Sequence, residues 1–249
     1  MSKIFTKTMV FLNGANNDSA VLEGGINFSR AFGTSLVLAT TAGNEHKFDS
    51  RLSSEKLPVE KLTLPDDGYK TAARKSKEIG ADLLVVSHDS HTQQLINALE
   101  VPVLSILDDF TGGQIKNILM PIHDDPGTRQ KIPVATEIAK TFGATIDILV
   151  VAGTGTEEIN KLKTYAYQAQ NWISKKGGNS TYHIETGKKV VDETIKHALD
   201  INADLIVIMN DRGGGGWFGK PMSEQIMLGS KVPVLVVEPK DTTVSYAGY

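Results

Sequence analysis

The chain repeats itself. The segment MVFLNGANNDSAVLEGGINFSRAFGTSLVLATTAG (9–43) aligns without a gap on LMPIHDDPGTRQKIPVATEIAKTFGATIDILVVAG (119–153), 110 residues later. Phe32 falls on Phe142, Gly33 on Gly143 and Gly43 on Gly153. GADLLVVSHD then matches NADLIVIMND at an offset of 122, and VPVLSI matches VPVLVV at an offset of 131. A duplication on this scale implies two copies of one folding unit. The first is assigned to 1–108 and the second to 114–240, with a polar tail at 241–249. The boundary falls in DDFTGGQ (108–114), where polar residues and glycine interrupt the apolar pattern.

Within each copy, continuous apolar runs alternate with helical patterns. ILMPI, IDILVV, DLIVIM and VPVLVV are rich in β-branched residues and lack period-two polarity. Such runs suit parallel strands covered on both faces. Ile132, Ala135, Ala139 and Phe142 form a helical stripe that Gly143 ends. Gly229 is expected to end a later helix in the same way. The long TEEINKLKTYAYQAQNWISKK stretch is read as an amphipathic helix packed on the sheet. NGANNDS (13–19) is read as a turn that caps a helix through Asp18 or Ser19. The expected class is α/β. Two tandem doubly wound domains each carry a five-stranded parallel sheet of order 3-2-1-4-5. The apolar last strands, VPVLSI and VPVLVV, would leave bare sheet edges, so they are expected to meet across a pseudo-twofold axis.

Composition narrows the function. The net charge of −3 offers no basic surplus for nucleic acid or an anionic membrane. Cysteine is absent, which removes disulfides, thiol catalysis and Cys-based zinc sites. No apolar run approaches the roughly 20 residues of a membrane span, and MSKIFTKTMVFLNGA is too short a run for a signal peptide. A cytoplasmic location is expected.

The copies differ most where the offset jumps from 122 to 131. There the second copy inserts NDRGGGGWFGKP (210–221), while the first has no glycine. Open parallel sheets bind ligands beyond the carboxyl ends of their strands, where the strand order reverses. In the second copy that point joins Pro121-Ile122-His123-Asp124-Asp125 to Met209-Asn210 and the glycines. Bare N–H groups at Gly213, Gly214 and Gly219 could cradle phosphate oxygens. A helix starting just past Gly219, with Pro221 in its first turn, would add its free N–H groups and dipole. Arg212 and Lys220 supply positive charge, and Trp217 and Phe218 either cover a base or pack on a neighbouring element. A loose solvent loop remains the alternative. GGGWFGKP (214–221) nearly spells the phosphate-loop pattern G-x4-G-K-[ST], but Pro221 stands at the hydroxyl position, so a phosphate-loop NTPase is rejected.

KNILMPIHDD, AKTFGATIDILVV, GADLLVVS, NADLIVIM and the ending SEQIMLGSKVPVLVVEP together resemble the universal stress protein family of the tandem type. The resemblance covers nearly the whole chain. It implies a five-stranded doubly wound sheet, pairing of domains through the last strand, and binding of ATP by many members in the crevice derived above. The family's signature G-x2-G-x9-G-[ST] maps onto Asn210 and Gly213, with the final pair at Lys220-Pro221 and Gly219 one step away. The loop is about three residues short, and Ser223 would have to stand in for the missing hydroxyl. The aspartate expected two residues after the strand-1 proline is His123, followed by Asp124 and Asp125. Pro121, Val151, Asn210 and Ser223 complete the implied nucleotide contacts. In the first copy Phe11 replaces the proline and the loop is missing, so that copy resembles a degenerate partner domain.

No metal site and no catalytic residue are expected. HDSH (88–91) is read as a solvated loop, and His123 as a polar lining residue without a nucleophile beside it. The functional expectation is a stress-response regulator that binds an adenine nucleotide such as ATP, with or without magnesium. It acts by binding, and any hydrolysis is slow and incidental. A nucleotide-free scaffold for an unknown protein partner and an ATP-pyrophosphatase-type enzyme are the alternatives. An intramolecular domain pair is expected, and a homodimer of the whole chain is compatible with it.

Overall fold

The apolar runs become ten strands of a single sheet in the computed structural model. It describes residues 4–65, 68–89, 91–107, 110, 112–211 and 219–239. The first copy supplies β1 (Lys7–Leu12), α1 (Asp18–Phe32), β2 (Ser35–Thr41), α2 (Asp49–Ser53), β3 (Val59–Leu64), α3 (Tyr69–Glu78), β4 (Leu83–Ser87), α4 (Thr92–Asn97) and β5 (Val103–Ile106). The second opens with β6 (Asn117–Ile122) and a 3-10 helix at Pro126–Lys131 that runs into α5 (Ile132–Phe142). β7 (Thr145–Ala152), α6 (Thr156–Lys175), β8 (Asn179–Thr186), α7 (Val190–Asp200), β9 (Leu205–Met209), α8 (Met222–Gly229) and β10 (Val234–Val237) follow.

The strand order is β3-β2-β1-β4-β5-β10-β9-β6-β7-β8. Each copy therefore has the expected 3-2-1-4-5 order. The two sheets join because β5 and β10 pair antiparallel, with Val103 opposite Val236, Leu104 opposite Leu235 and Ser105 opposite Val234. Every other pairing is parallel. The seam removes the edge that each apolar last strand would otherwise expose.

Alternate residues of each strand feed two cores. Val10, Leu12, Leu36 and Leu38 face α1, α5 and α6. Met9, Phe11, Val37 and Ala39 face the layer built from α3, α4, α7 and α8. The first core crosses the copy boundary: the Phe142 ring lies edge-on to Phe28 at 5.3 Å and to Phe32 at 6.2 Å. Such pairs contribute roughly 0.5–1.5 kcal/mol beyond their buried area. α6 buries Leu162, Ala166, Ala169 and Ile173, a single stripe at helical spacing, as expected.

Three local expectations need correction. Gly143 is the left-handed cap foreseen, with φ 71°, but Gly229 is the last residue of α8 and serves packing instead. A Cβ there would run into Ile195 Cδ1 on α7. Pro221 precedes α8 as an extended N-cap residue and does not occupy its first turn. At the start of α1 neither Asp18 nor Ser19 caps the helix, because Asn17 is the N-cap residue. The Asp18 carboxylate instead accepts from the upstream Gly14 N–H at 3.1 Å. Among the described residues, no helix is long and apolar enough to cross a membrane.

Candidate functional site

β6 and β9 lie side by side, and their carboxyl ends open the crevice at the reversal of strand order. Pro121 is buried in β6 and Val151 near the end of β7. The turn after β6 then spends its acids in different ways. Asp125 holds the 3-10 helix, its carboxylate accepting from Gly127 N–H at 2.6 Å. Asp124 is exposed and pairs with Lys161 of α6 at 2.5 Å, which raises the pKa of that lysine.

Between them, His123 is half-buried, and its Nδ1 has no hydrogen-bond partner among the described residues. Burial, reinforced by the charge of Lys131, pulls its pKa down to about 4, against the opposing fields of Asp125, Asp211 and Asp124. The imidazole is therefore neutral near pH 7, with an unused polar atom.

Lys131 is the residue that sequence reasoning missed. It closes the 3-10 helix with 1% exposure, and its ammonium donates to Thr128 Oγ1 at 2.9 Å. Burial drops its pKa to about 7, with Asp125 pulling the other way. At the offset of 110, its counterpart in the first copy is Val21, which is fully buried. Laying the two copies side by side would have exposed this exchange of valine for lysine.

The far wall is less free than expected. Asp211 accepts from Met222 N–H at 2.6 Å, from Ser223 N–H at 3.0 Å and from the Ser223 hydroxyl. A carboxylate of the chain thus occupies the start of α8, where an incoming anion was expected, because the same free N–H groups and dipole attract either. Ser223 is accordingly turned to Asp211. Lys220 is exposed and pairs with Glu224 at 3.0 Å. At Gly219 a Cβ would meet open space. Gly213, Gly214, Arg212, Trp217 and Phe218 lie outside the described residues.

Asn210 points away from the crevice to the other copy. Its amide donates to Asn97 Oδ1 at 3.1 Å and to Glu238 Oε1 at 2.8 Å, and it accepts from Gln93 at 3.2 Å. Gln93 and Asn97 both sit on α4, so this network, buried at Asn210 and Gln93 and exposed at Asn97, bridges the copies beside the seam.

At the matching end of the first copy, polar side chains bond to one another, while the buried Asp18 Oδ1 has no partner among the described residues. Asn13 donates to the Tyr69 hydroxyl at 3.0 Å, and Tyr69 donates to Asp89. Ser87 donates to Asn17 at 2.8 Å. In HDSH, His88 bonds Ser105 at 2.9 Å, His91 stacks on Tyr69, and the Asp89 carboxylate accepts from His91 N–H. A separate cleft of about 300 Å³ is lined by Leu107, Phe110, Gln114, Ile115, Asp204 and Lys231. It lies at the amino ends of β6, β9 and β10, the edge opposite the crevice, and holds none of the expected site residues.

Comparison with known proteins agrees with this architecture. No curated protein sequence matches the chain. A solved structure of a functionally unknown protein from Pseudomonas aeruginosa PAO1 superposes with a TM-score of 0.73 at 17% identity, covering 95% of this chain and 94% of the other. A universal stress protein from Archaeoglobus fulgidus DSM 4304 gives a TM-score of 0.70 at 15% identity, with 96% and 99% covered. Both cover nearly the full length and share the fold. The model of the universal stress protein family matches residues 114–238, half of the chain. On that match, and with both halves built to the strand order derived above, the chain belongs to the universal stress protein family.

Proposed function

We propose that the protein is a cytoplasmic stress-response regulator that binds an adenine nucleotide in the crevice of its second copy and acts by binding, without turnover. The observation that carries this reading is that the second crevice alone sets an unbonded imidazole nitrogen beside a buried lysine, among the described residues. In the first copy Asn13, Tyr69 and Asp89 are bonded to one another, as are Asn17 and Ser87. In the second, the His123 Nδ1 has no partner among the described residues, and the Lys131 ammonium lies buried close by. A neutral imidazole offers a hydrogen bond to a base or ribose, and the buried lysine behind it adds positive potential that favours an anion. Among the described residues no activated nucleophile accompanies His123, which favours binding over catalysis.

Calorimetric titration with MgATP should show saturable binding to the wild type and a loss of about ten-fold or more in a Gly213→Val, Gly219→Val double variant. The Gly219→Val change alone should leave stability unaltered, because its Cβ meets open space. Any loss of affinity in that single variant would then report on ligand contact. AMP and pyrophosphate release would mark a pyrophosphatase-type enzyme instead.

A second reading, a nucleotide-free scaffold, draws on two observations. Asn210 is committed to the bridge between copies, and Asp211 already fills the start of α8. Absence of nucleotide binding by the wild type, with none released on acid denaturation, would establish that reading.

A further inference from the structure

A second polar cluster lies away from the crevice, on the face of the sheet covered by α7. Asp147 interrupts the apolar run of β7 near its start. In the parallel register Thr181 of β8 stands opposite Asp147, and His183 follows two residues on, along the same face. α7 brings His197 over the same spot. The His197 Nε2 lies 3.1 Å from Asp147 Oδ1, and the His183 Nε2 lies 3.1 Å from Asp147 Oδ2. One ligand atom from each of the three residues falls within 4.8 Å of the others. Thr181 Oγ1 donates to Asp147 Oδ2 at 3.0 Å and fixes the carboxylate.

We propose that Asp147, His183 and His197 form a site for a divalent transition metal, with zinc the best fit. Two imidazoles select a borderline cation over magnesium or calcium, which prefer all-oxygen shells. In a tetrahedral site with bonds of about 2.0–2.1 Å, neighbouring ligand atoms stand about 3.3 Å apart. Each imidazole stands 3.1 Å from its nearer carboxylate oxygen, and one ligand atom from each residue lies within 4.8 Å of the others, so small side-chain rotations bring the set to that spacing. Each imidazole presents a free Nε2 lone pair once its proton resides on Nδ1. Asp147 and His197 are nearly enclosed, at 13% and 12% side-chain exposure, while His183 is 53% exposed. Three protein ligands with one side open to water leave a fourth position for a solvent molecule. Thr181 supplies the outer hydrogen bond that such carboxylate ligands usually carry.

The position suggests a structural role. β8 is an edge strand in which no residue is fully buried. A metal held by β7, β8 and α7 would clip that edge to the helix above it. Asp147 and Val151 are four residues apart on one strand, about 13 Å, so the site is distinct from the crevice. It belongs to the second copy alone, since Val37 replaces Asp147 in the first. Sequence spacing gives no warning of it, because the three residues are 36 and 14 positions apart.

The test uses the full chain, freed of metal with a chelator and titrated with zinc against a chromogenic competitor. One equivalent should bind, and His183→Ala and His197→Ala should each weaken binding by about ten-fold or more. His91→Ala should bind like the wild type. Cobalt should give the intense visible absorption of a four-coordinate site in the wild type and lose it in His183→Ala. His183 is largely exposed, so that variant should keep its native circular dichroism. Zinc should raise the melting temperature of the wild type but not of His183→Ala. Absence of stoichiometric binding by the folded wild type would overturn the proposal, leaving the cluster as a pair of hydrogen bonds to Asp147. Binding that survives in both variants but is lost in His91→Ala would overturn it equally.

Discussion

Heating should unfold both copies in one transition, and Leu104→Ala and Leu235→Ala should each cost about 2–5 kcal/mol. The two leucines face each other across the antiparallel seam, and both are fully buried. Removing either leaves a void between β5 and β10 that strands held by ladders on both sides cannot collapse to fill. Chains with two domains often melt in two steps, because each domain keeps its own core. Here the core shared by α1 and α5, through Phe28, Phe32 and Phe142, ties the copies together. The Asn210 network does the same on the other face. Because the leucines are direct cross-strand partners, the double variant should lose less than the sum of the single losses, with a coupling of about 0.5–3 kcal/mol. Differential scanning calorimetry measures both the number of transitions and their shifts. Two resolved transitions, only one of them moved by Leu235→Ala, would show that the copies fold independently.

Replacing Lys131 with methionine should stabilise the protein by about 2 kcal/mol or more at pH 7 and below. The unfolded chain holds the lysine proton up to the ordinary 10.5, whereas the folded protein releases it near 7. Between those values the unfolded state binds more protons, so wild-type stability rises with pH. Below about 7 both states are protonated, and the full penalty of a buried ammonium is present. The slope from this group is at most about 1.4 kcal/mol per pH unit. Methionine fills a similar volume and removes it, at the expense of one hydrogen bond to Thr128, worth about 1 kcal/mol. Urea titrations from pH 6 to pH 10 should give a rising curve for wild type and a flatter, higher one for Lys131→Met. The His123 imidazole should also titrate at a higher pH in the variant, since the Lys131 charge depresses it. A variant that is less stable at pH 6 and keeps the slope would show that Lys131 is hydrated.

The framework of the fold was legible because it rests on repetition and apolar periodicity. Phe32 and Phe142 coincide in the alignment of the copies, and the structure sets them at matching helix ends, 6.2 Å apart. VPVLSI and VPVLVV read as edges in need of cover, and they cover each other. The site was less legible, because its residues go against their type. Position 131 lies four before Ala135 and so falls on the apolar stripe that marks the buried side of α5. Periodicity pointed to burial there, and only the identity of the side chain argued for exposure. Asn210 fell where the family signature has glycine, yet its amide serves a contact with α4, more than a hundred residues away in sequence. Asp211 carries no signal of its own, because any acid before a helix can cap it and a bound anion would use the same N–H groups. Contacts of this range leave no local pattern to read.

The seam between β5 and β10 also changes what a single substitution does. When two identical chains pair about a twofold axis, every replacement is present twice, and a charge introduced for one half is imposed on the other. With both halves on one polypeptide, a replacement occurs once. A buried amine at 131 faces valine at the matching position, and an Asp–His–His cluster faces valine where its aspartate would be. Each half can then specialise without its twin following. The proportion of the two kinds of half is fixed at one to one by synthesis, whatever the amount of protein made.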